Sequence, residues 1–380
     1  MFAIHPGIFL RTLTGARMRR SPSGWLGVLA AAVLCLIGTS PAVAHARGAH
    51  GASQTFQQRN LVSDIAGVAR ITDRNLVNPW GLAAGPTSPL WVADNGRDVS
   101  TFYSGAVDGT VPRPMPLVVS IPDGAPTGVV FNPTRGFVVH AGQASAPANF
   151  IFDSEAGKIT AWSGTVPPTT QAQTVATTPG AIYKGLAIAT VPRRGTFLYA
   201  ADFHGAKIDV FDSQFAPVHL SGSFVDRTLP AGYAPFNIQE LRGFLVVAYA
   251  KQDADAEDEV AGAGLGFIDV YDTTGHLVRR LVSQDALDAP WGLALAPRHF
   301  GRFGGDLLVG NFGDGKINAY DPRSGRFEGQ LTNEDGNPIQ IDGLWALRFG
   351  NGTFGTPRDL LFTAGIADED HGLLGEISAR

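Results

Sequence analysis

The 380-residue chain contains a single cysteine, Cys35, which excludes an intramolecular disulfide and any multi-cysteine metal site. Charged residues make up 17% of the chain, the formal net charge is −5, and no basic cluster is present. Nucleic acid and anionic membrane surfaces are therefore poor partners for it. The apolar run from Trp25 to Ile37 has 13 residues, short of the roughly 18–20 needed to cross a bilayer. No G-x-S-x-G nucleophile motif is present. What remains is a chain of 47 glycines, 25 prolines and 44% hydrophobic residues, enough to bury a large core by packing alone.

Residues 1–46 differ from the rest. Arg11, Arg17, Arg19 and Arg20 precede the apolar run, and SPAVAHA follows it. These are the basic, apolar and small-residue regions of a cleaved signal peptide, with cleavage expected after Ala44 or Ala46. Met18 is a workable alternative start. SPSGW after Arg19 and Arg20 favours the general secretory route over twin-arginine export. Bulky residues before Cys35 argue against a lipid anchor. The expected product is a secreted monomer, periplasmic or extracellular, without any thiol. Losing four arginines and no acidic residue takes its formal charge from −5 to −9. Residues 47–55 (RGAHGASQT) read as a linker.

From residue 56 onward the chain repeats. In the segment Pro290 to Asp321, short apolar runs separated by Gly-rich turns spell three strands of an antiparallel meander. Six such units follow in register, marked by Gly81, Gly128, Gly185, Ile238, Gly292 and Gly343, at steps of 47, 57, 53, 54 and 51 residues. A period near 50 with three or four strands per unit specifies an all-β, six-bladed β-propeller over residues 56–380. Second strands are expected at Leu90 to Asp94, Gly136 to Ala141, Phe197 to Asp202, Phe244 to Tyr249, Asp306 to Asn311 and Asp359 to Ala364. Fourth strands are expected near 115–120, 171–176, 217–225, 277–282 and 326–332. The last unit lacks a fourth strand, whereas Phe56 to Leu61 is a strand without a unit. Pairing the two closes the ring and leaves no exposed edge.

LYAAD…KIDVFD and LWVAD…VSTFY resemble NHL repeats and the related calcium-dependent SMP-30/gluconolactonase-like propellers. NPWGLA (Asn78 to Ala83), YAKQDADAEDEVAG (Tyr249 to Gly262), GNFGDGKINAYDP (Gly310 to Pro322) and DGLWALRFGNG (Asp342 to Gly352) resemble a family of secreted bacterial propellers of unknown function. The resemblance spans nearly the whole secreted chain and implies the fold. It supplies no activity. The lactonases place a metal-ligating Glu at the first strand, where this sequence has Asn78.

Propeller sites usually lie at the mouth of the central channel, formed by the residues leading into each first strand and the turns after each second strand. Asn78, Trp80, Lys184, Asn237, Trp291 and Asp342 are the ligand-binding candidates of the first kind, and His204 is one of the second. Trp80, Trp291 and Trp345 recur at equivalent places and read as packing around the channel or as a sugar-stacking platform. Asp94, Asp202 and Asn311 hold matching places in the first, third and fifth units. Converging, they offer hard oxygen ligands to Ca²⁺ or Mg²⁺; otherwise each caps a turn. Asp253, Asp255 and Glu257 open an acidic loop that either folds round Ca²⁺ or is a solvated charge run, and it lacks the Gly and terminal Glu of an EF-hand. His204, with His140 or His371, is a candidate base. The expected function is binding of a small molecule, carbohydrate or protein at the channel mouth, stabilised by Ca²⁺. The alternative is a divalent-metal-dependent lactonase or esterase-type hydrolase.

Overall fold

The computed structural model describes residues 55–380; residues 1–46, read as a signal peptide, and most of 47–55, read as a linker, lie outside the described residues. Six antiparallel sheets form the blades. Blade 1 runs Pro79–Ala83, Leu90–Asp94 and Val99–Ser104, rimmed by Arg113–Pro114 and Val119–Ser120. Blade 2 is built from Pro126–Phe131, Phe150–Ser154, Lys158–Trp162 and Gln173–Thr177. Blade 3 has Tyr183–Val191, Gly195–Asp202 and Lys207–Phe211. Blade 4 comprises Tyr233–Leu241, Phe244–Gln252, Phe267–Asp272 and Leu277–Ser283. Blade 5 follows with Pro290–Leu295, Leu307–Asn311, Ile317–Tyr320 and Phe327–Gln330. Blade 6 takes Leu344–Phe349, Leu360–Ala364 and Leu373–Ala379 from its own repeat.

Its fourth strand comes from the other end of the described chain. Phe56–Ser63 pairs antiparallel with Leu373–Ala379, from Phe56 opposite Ala379 to Ser63 opposite Leu373. The seam is packed as well as paired. Phe56 is fully buried, 5.0 Å from Phe300 and 5.8 Å from Phe303 between ring centroids. First strands of successive blades touch round the axis, and that of blade 6 returns to that of blade 1. This crowding requires glycine: a Cβ on Gly81 would stand 2.6 Å from the Thr127 carbonyl, and one on Gly292 2.7 Å from that of Trp345.

Two expected strands are corrected by the fold. In blade 2 the second strand is Phe150–Ser154, which pairs with Pro126–Phe131. The run at Val138–Ala141 forms only a two-stranded hairpin with Ala144–Pro147. Burial decides between them. Phe150–Ser154 is buried throughout, as a mid-sheet strand between two blades must be, whereas Val138–Ala141 is half exposed. In blade 3 the region 217–225 forms no strand, only the bridge between Phe211 and Pro217. That segment docks on blade 4 instead, where Phe224 donates its backbone N–H to Gly275 and packs between Tyr199 and Tyr271. Asp226 then pairs with Arg280 of blade 4.

Candidate functional site

The first strands begin, and the turns after the second strands lie, at one end of the ring, and the side chains there form two layers. The inner layer is aromatic. Trp80 stacks on Trp345 at 3.5 Å, and Trp291 meets both edge-on at 6.1 and 5.9 Å. Phe312 and Phe236 close the other sides of Trp345, at 4.2 and 5.9 Å. All three tryptophans are at most 4% exposed. Among the strands on the axis, a cavity lined by Gly81, Gly128, Asn237 and Trp291 has about 20 Å³ of room, space for about one water. The tryptophans therefore plug the channel rather than presenting an open stacking face.

The second layer is charged and centres on Lys184, whose side chain is 2% exposed. Tyr183–Val191 delivers it to the axis, where Nζ lies 5.3 Å from the Trp80 ring centroid and 5.9 Å from that of Phe203. It donates to Glu155 Oε1 at 2.8 Å and to Asp258 Oδ1 at 3.0 Å. Burial alone would push this ammonium down; Glu155, with Glu259 and Asp258, outweighs that and holds it above its ordinary value. Burial raises Glu259 to about 7 despite Lys184 beside it. Burial also raises Glu369, which accepts from Asn78 Nδ2 at 2.6 Å. The network continues from Asn78 Oδ1, which accepts from Trp345 Nε1 at 3.0 Å. Asn95, just past the second strand of blade 1, donates to Glu155 Oε2 at 3.0 Å.

Glu369 is presented by an unusual turn. Ala367, Asp368 and Glu369 all take left-handed φ values, +57°, +54° and +65°, a conformation that costs a residue with a Cβ roughly 1–2 kcal/mol. Asp342 supports the turn by accepting the Ala367 N–H at 2.8 Å.

The structure thus brings Asn78, Trp80, Lys184, Asn237 and Trp291 together: Trp291 Nε1 donates to the Lys184 carbonyl and Asn237 Nδ2 to the Trp291 carbonyl, both at 2.8 Å. His204 is exposed at the rim, 3.2 Å from the Ala256 carbonyl of the acidic loop. His371 Nδ1 lies 2.7 Å from Asp64 Oδ2. Asp94, Asp202 and Asn311 each bond to groups near their own strands, but Asp94 Oδ1 and Asn311 Oδ1 are buried without a partner. Asp94 accepts the Thr101 N–H, Asp202 accepts those of Ile182 and Gly205, and Asn311 donates to Ala286 and Asp314. In the acidic loop, Asp253 caps the turn by accepting the Glu257 N–H at 2.9 Å, while Asp255 and Glu257 are exposed. Among the described residues no group of three or more His, Cys, Asp or Glu is placed to hold a metal ion.

The acids that do meet at the axis, Glu155, Asp258, Glu259 and Glu369, come from blades 2, 4 and 6, whereas sequence reasoning looked to Asp94, Asp202 and Asn311 of blades 1, 3 and 5 and, in blade 4, to Asp253, Asp255 and Glu257 of the same acidic loop. One signal was available: an acidic residue in the turn between the second and third strands of each even-numbered unit. In blade 2 it was hidden by the misplaced second strand.

The fold and this plugged, acid-ringed face define the chain as a six-bladed β-propeller. No family model matches it. It belongs to the same family as two uncharacterized proteins of Acanthamoeba polyphaga mimivirus. R648 is 33% identical over 338 residues, 87% of this chain and 82% of that protein. L690 is 32% identical over 344 residues, 87% of each. Both are viral, so the bacterial origin in the resemblance finds no support in them. Among solved structures, virginiamycin B lyase from Staphylococcus aureus superposes with a TM-score of 0.50 at 12% identity, covering 85% of this chain and 99% of that one. At that identity the likeness is one of fold.

Proposed function

We propose that the protein is a secreted, non-catalytic binding propeller whose channel-mouth face receives a partner through a positively charged group. The observation that carries this reading is the network around Lys184. Its one ammonium faces Glu155, Asp258, Glu259 and Glu369, so the face keeps an excess of carboxylates after internal pairing. Asp258 remains 73% exposed at its edge. Such a surface favours cations and steers them in from solution. Lys184 is held charged by its partners, so it offers no amine nucleophile, and the axial cavity beside the aromatic plug, about 20 Å³ among the described residues, is too small to enclose a substrate. Binding fits these features better than hydrolysis.

The test uses hexalysine as a probe, titrated into the full chain at low and physiological salt. The expected result is saturable binding that weakens with salt, and at least tenfold weaker binding by Asp258→Asn/Glu369→Gln. Equal binding by wild type and variant would overturn the reading.

A further inference from the structure

At the opposite end of the strands from Lys184, a cleft of about 320 Å³ opens between blades 4 and 5. Its walls are apolar. Leu241, Val246 and Leu281 contribute from blade 4, and Leu295 and Leu307 from blade 5. Val246, Leu281 and Leu307 also belong to the buried core between the two blades, so the cleft is an opening into that core. Phe244, 43% exposed, stands at the lip.

The polar groups of the cleft carry one sign of charge. Arg242 comes from the turn between the first and second strands of blade 4, Arg279 from its outer strand, and Arg323 from the turn after the third strand of blade 5. None of the three makes a direct ion pair among the described residues, although Arg323 helps to hold the Asp321 carboxyl below its ordinary value. Arg279 donates to the Pro322 carbonyl at 2.7 Å, while its buried Nε has no partner. Of the acidic side chains near in sequence, Glu240 accepts the Gly243 N–H and Asp321 accepts the backbone N–H groups of Arg323 and Ser324, while Asp306, next to Leu307, is pushed up to about 6 by burial and by Glu328 and Asp321 beside it. No carboxylate lines the cleft.

An apolar pocket with a few convergent polar groups is the usual form of a small-molecule site, and this volume falls at the lower end of the roughly 300–1,000 Å³ range. Three guanidinium groups without carboxylates select an anionic head, preferably a planar one that can accept two parallel N–H bonds. We infer that this cleft is a second binding site, which takes a free amphipathic carboxylate, with its alkyl chain among the leucines and its head on Arg242, Arg279 and Arg323. The site is independent of the channel-mouth reading, since it shares no residue with it.

Calorimetric titration of the full chain with sodium octanoate tests it, against octyl glucoside, which keeps the chain length but not the charge, and sodium acetate, which keeps only the charge. Octanoate is expected to bind saturably and at least tenfold more tightly than either control. Arg242→Gln/Arg279→Gln/Arg323→Gln should weaken it at least tenfold. Because Arg279 is partly buried, the exposed pair Arg242→Gln/Arg323→Gln provides a second variant, expected to melt like wild type and bind at least threefold more weakly. Unchanged octanoate affinity in the exposed-pair variant overturns the inference, as does octyl glucoside binding as tightly as octanoate. Sedimentation with phosphatidylglycerol vesicles without octanoate binding would also overturn it, by assigning the arginines to a lipid surface.

Discussion

The ring is closed in two different ways, at the seam of blade 6 and at the channel mouth. At the seam, Phe56–Ser63 completes a backbone ladder with Leu373–Ala379. Such a ladder needs only a strand of suitable pattern, and its specificity comes from an anchor such as Phe56. At the mouth, closure depends on named side chains: Lys184 of blade 3 reaches Glu155 of blade 2 and Asp258 of blade 4, and Asn78 of blade 1 reaches Glu369 of blade 6. The seam joins chain ends through bonds that any residue but proline can make. The mouth joins blades through a few specific polar side chains, and it is there that function is expected to reside.

The sharpest way to break this comparison is at the seam. Phe56→Ala should lower unfolding stability in urea by about 3–5 kcal/mol, because Phe56 is fully buried against Phe300 and Phe303. Removing residues 55–63 should do more and leave an unpaired edge that aggregates. A truncated chain that melts like the intact one would reject closure by this strand.

At the mouth, Lys184→Met should cost about 3 kcal/mol, the lower end for breaking a buried pair, since Asp258 is 73% exposed and readily resolvated. Hexalysine binding should rise, as the carboxylates lose their internal partner. A variant with unchanged stability would show that the ammonium is not holding the blades together.

Protons offer a gentler probe. Burial raises Asp153 and Glu259 to about 7 in the folded chain, whereas unfolded carboxylates titrate near 4. The folded state then binds more protons between about pH 4.5 and 7, so stability falls as pH rises through that window. Melting temperature should be higher at pH 5.5 than at 7.5, and Asp153→Asn/Glu259→Gln should narrow the difference. A higher melting temperature for wild type at pH 7.5 would contradict these environments.

The smallest expected effect concerns the turn beside Glu369. Asp368 is exposed at φ +54°. Asp368→Gly should relieve the left-handed strain and stabilise the protein by roughly 0.5–1 kcal/mol after the entropic cost of glycine. Loss of stability would mean that the Asp368 carboxylate contributes more than its backbone costs.

Much of the architecture was legible because it is periodic. Gly81, Gly128, Gly185 and Gly292 mark the axis, where the next blade leaves no room for a Cβ, and a missing last strand with a spare first one implied the seam. The second strand of blade 2 was misread because Val138–Ala141 has the same apolar alternation as a blade strand and differs only in its surroundings. The site was half legible. Lys184, Asn78 and the tryptophans are found by their place in the repeat. Their acidic partners are not, because Lys184 meets Asp258 across 74 positions of sequence and Asn78 meets Glu369 across 291. The acidic loop reads in sequence as a Ca²⁺ loop or a solvated charge run, because the ammonium that pairs with its Asp258 belongs to another blade.

The tryptophan plug has an optical consequence. Indoles stacked at 3.5 Å, with a third edge-on at about 6 Å, are close enough for their electronic transitions to couple, which gives the near-ultraviolet circular dichroism a paired signature that separated tryptophans lack. Lys184 lies against one of those rings. Any event that moves this ammonium, whether arrival of a cation above it or titration of Glu259, changes the electric field on the coupled pair, so the protein carries a built-in spectroscopic reporter of its own channel mouth.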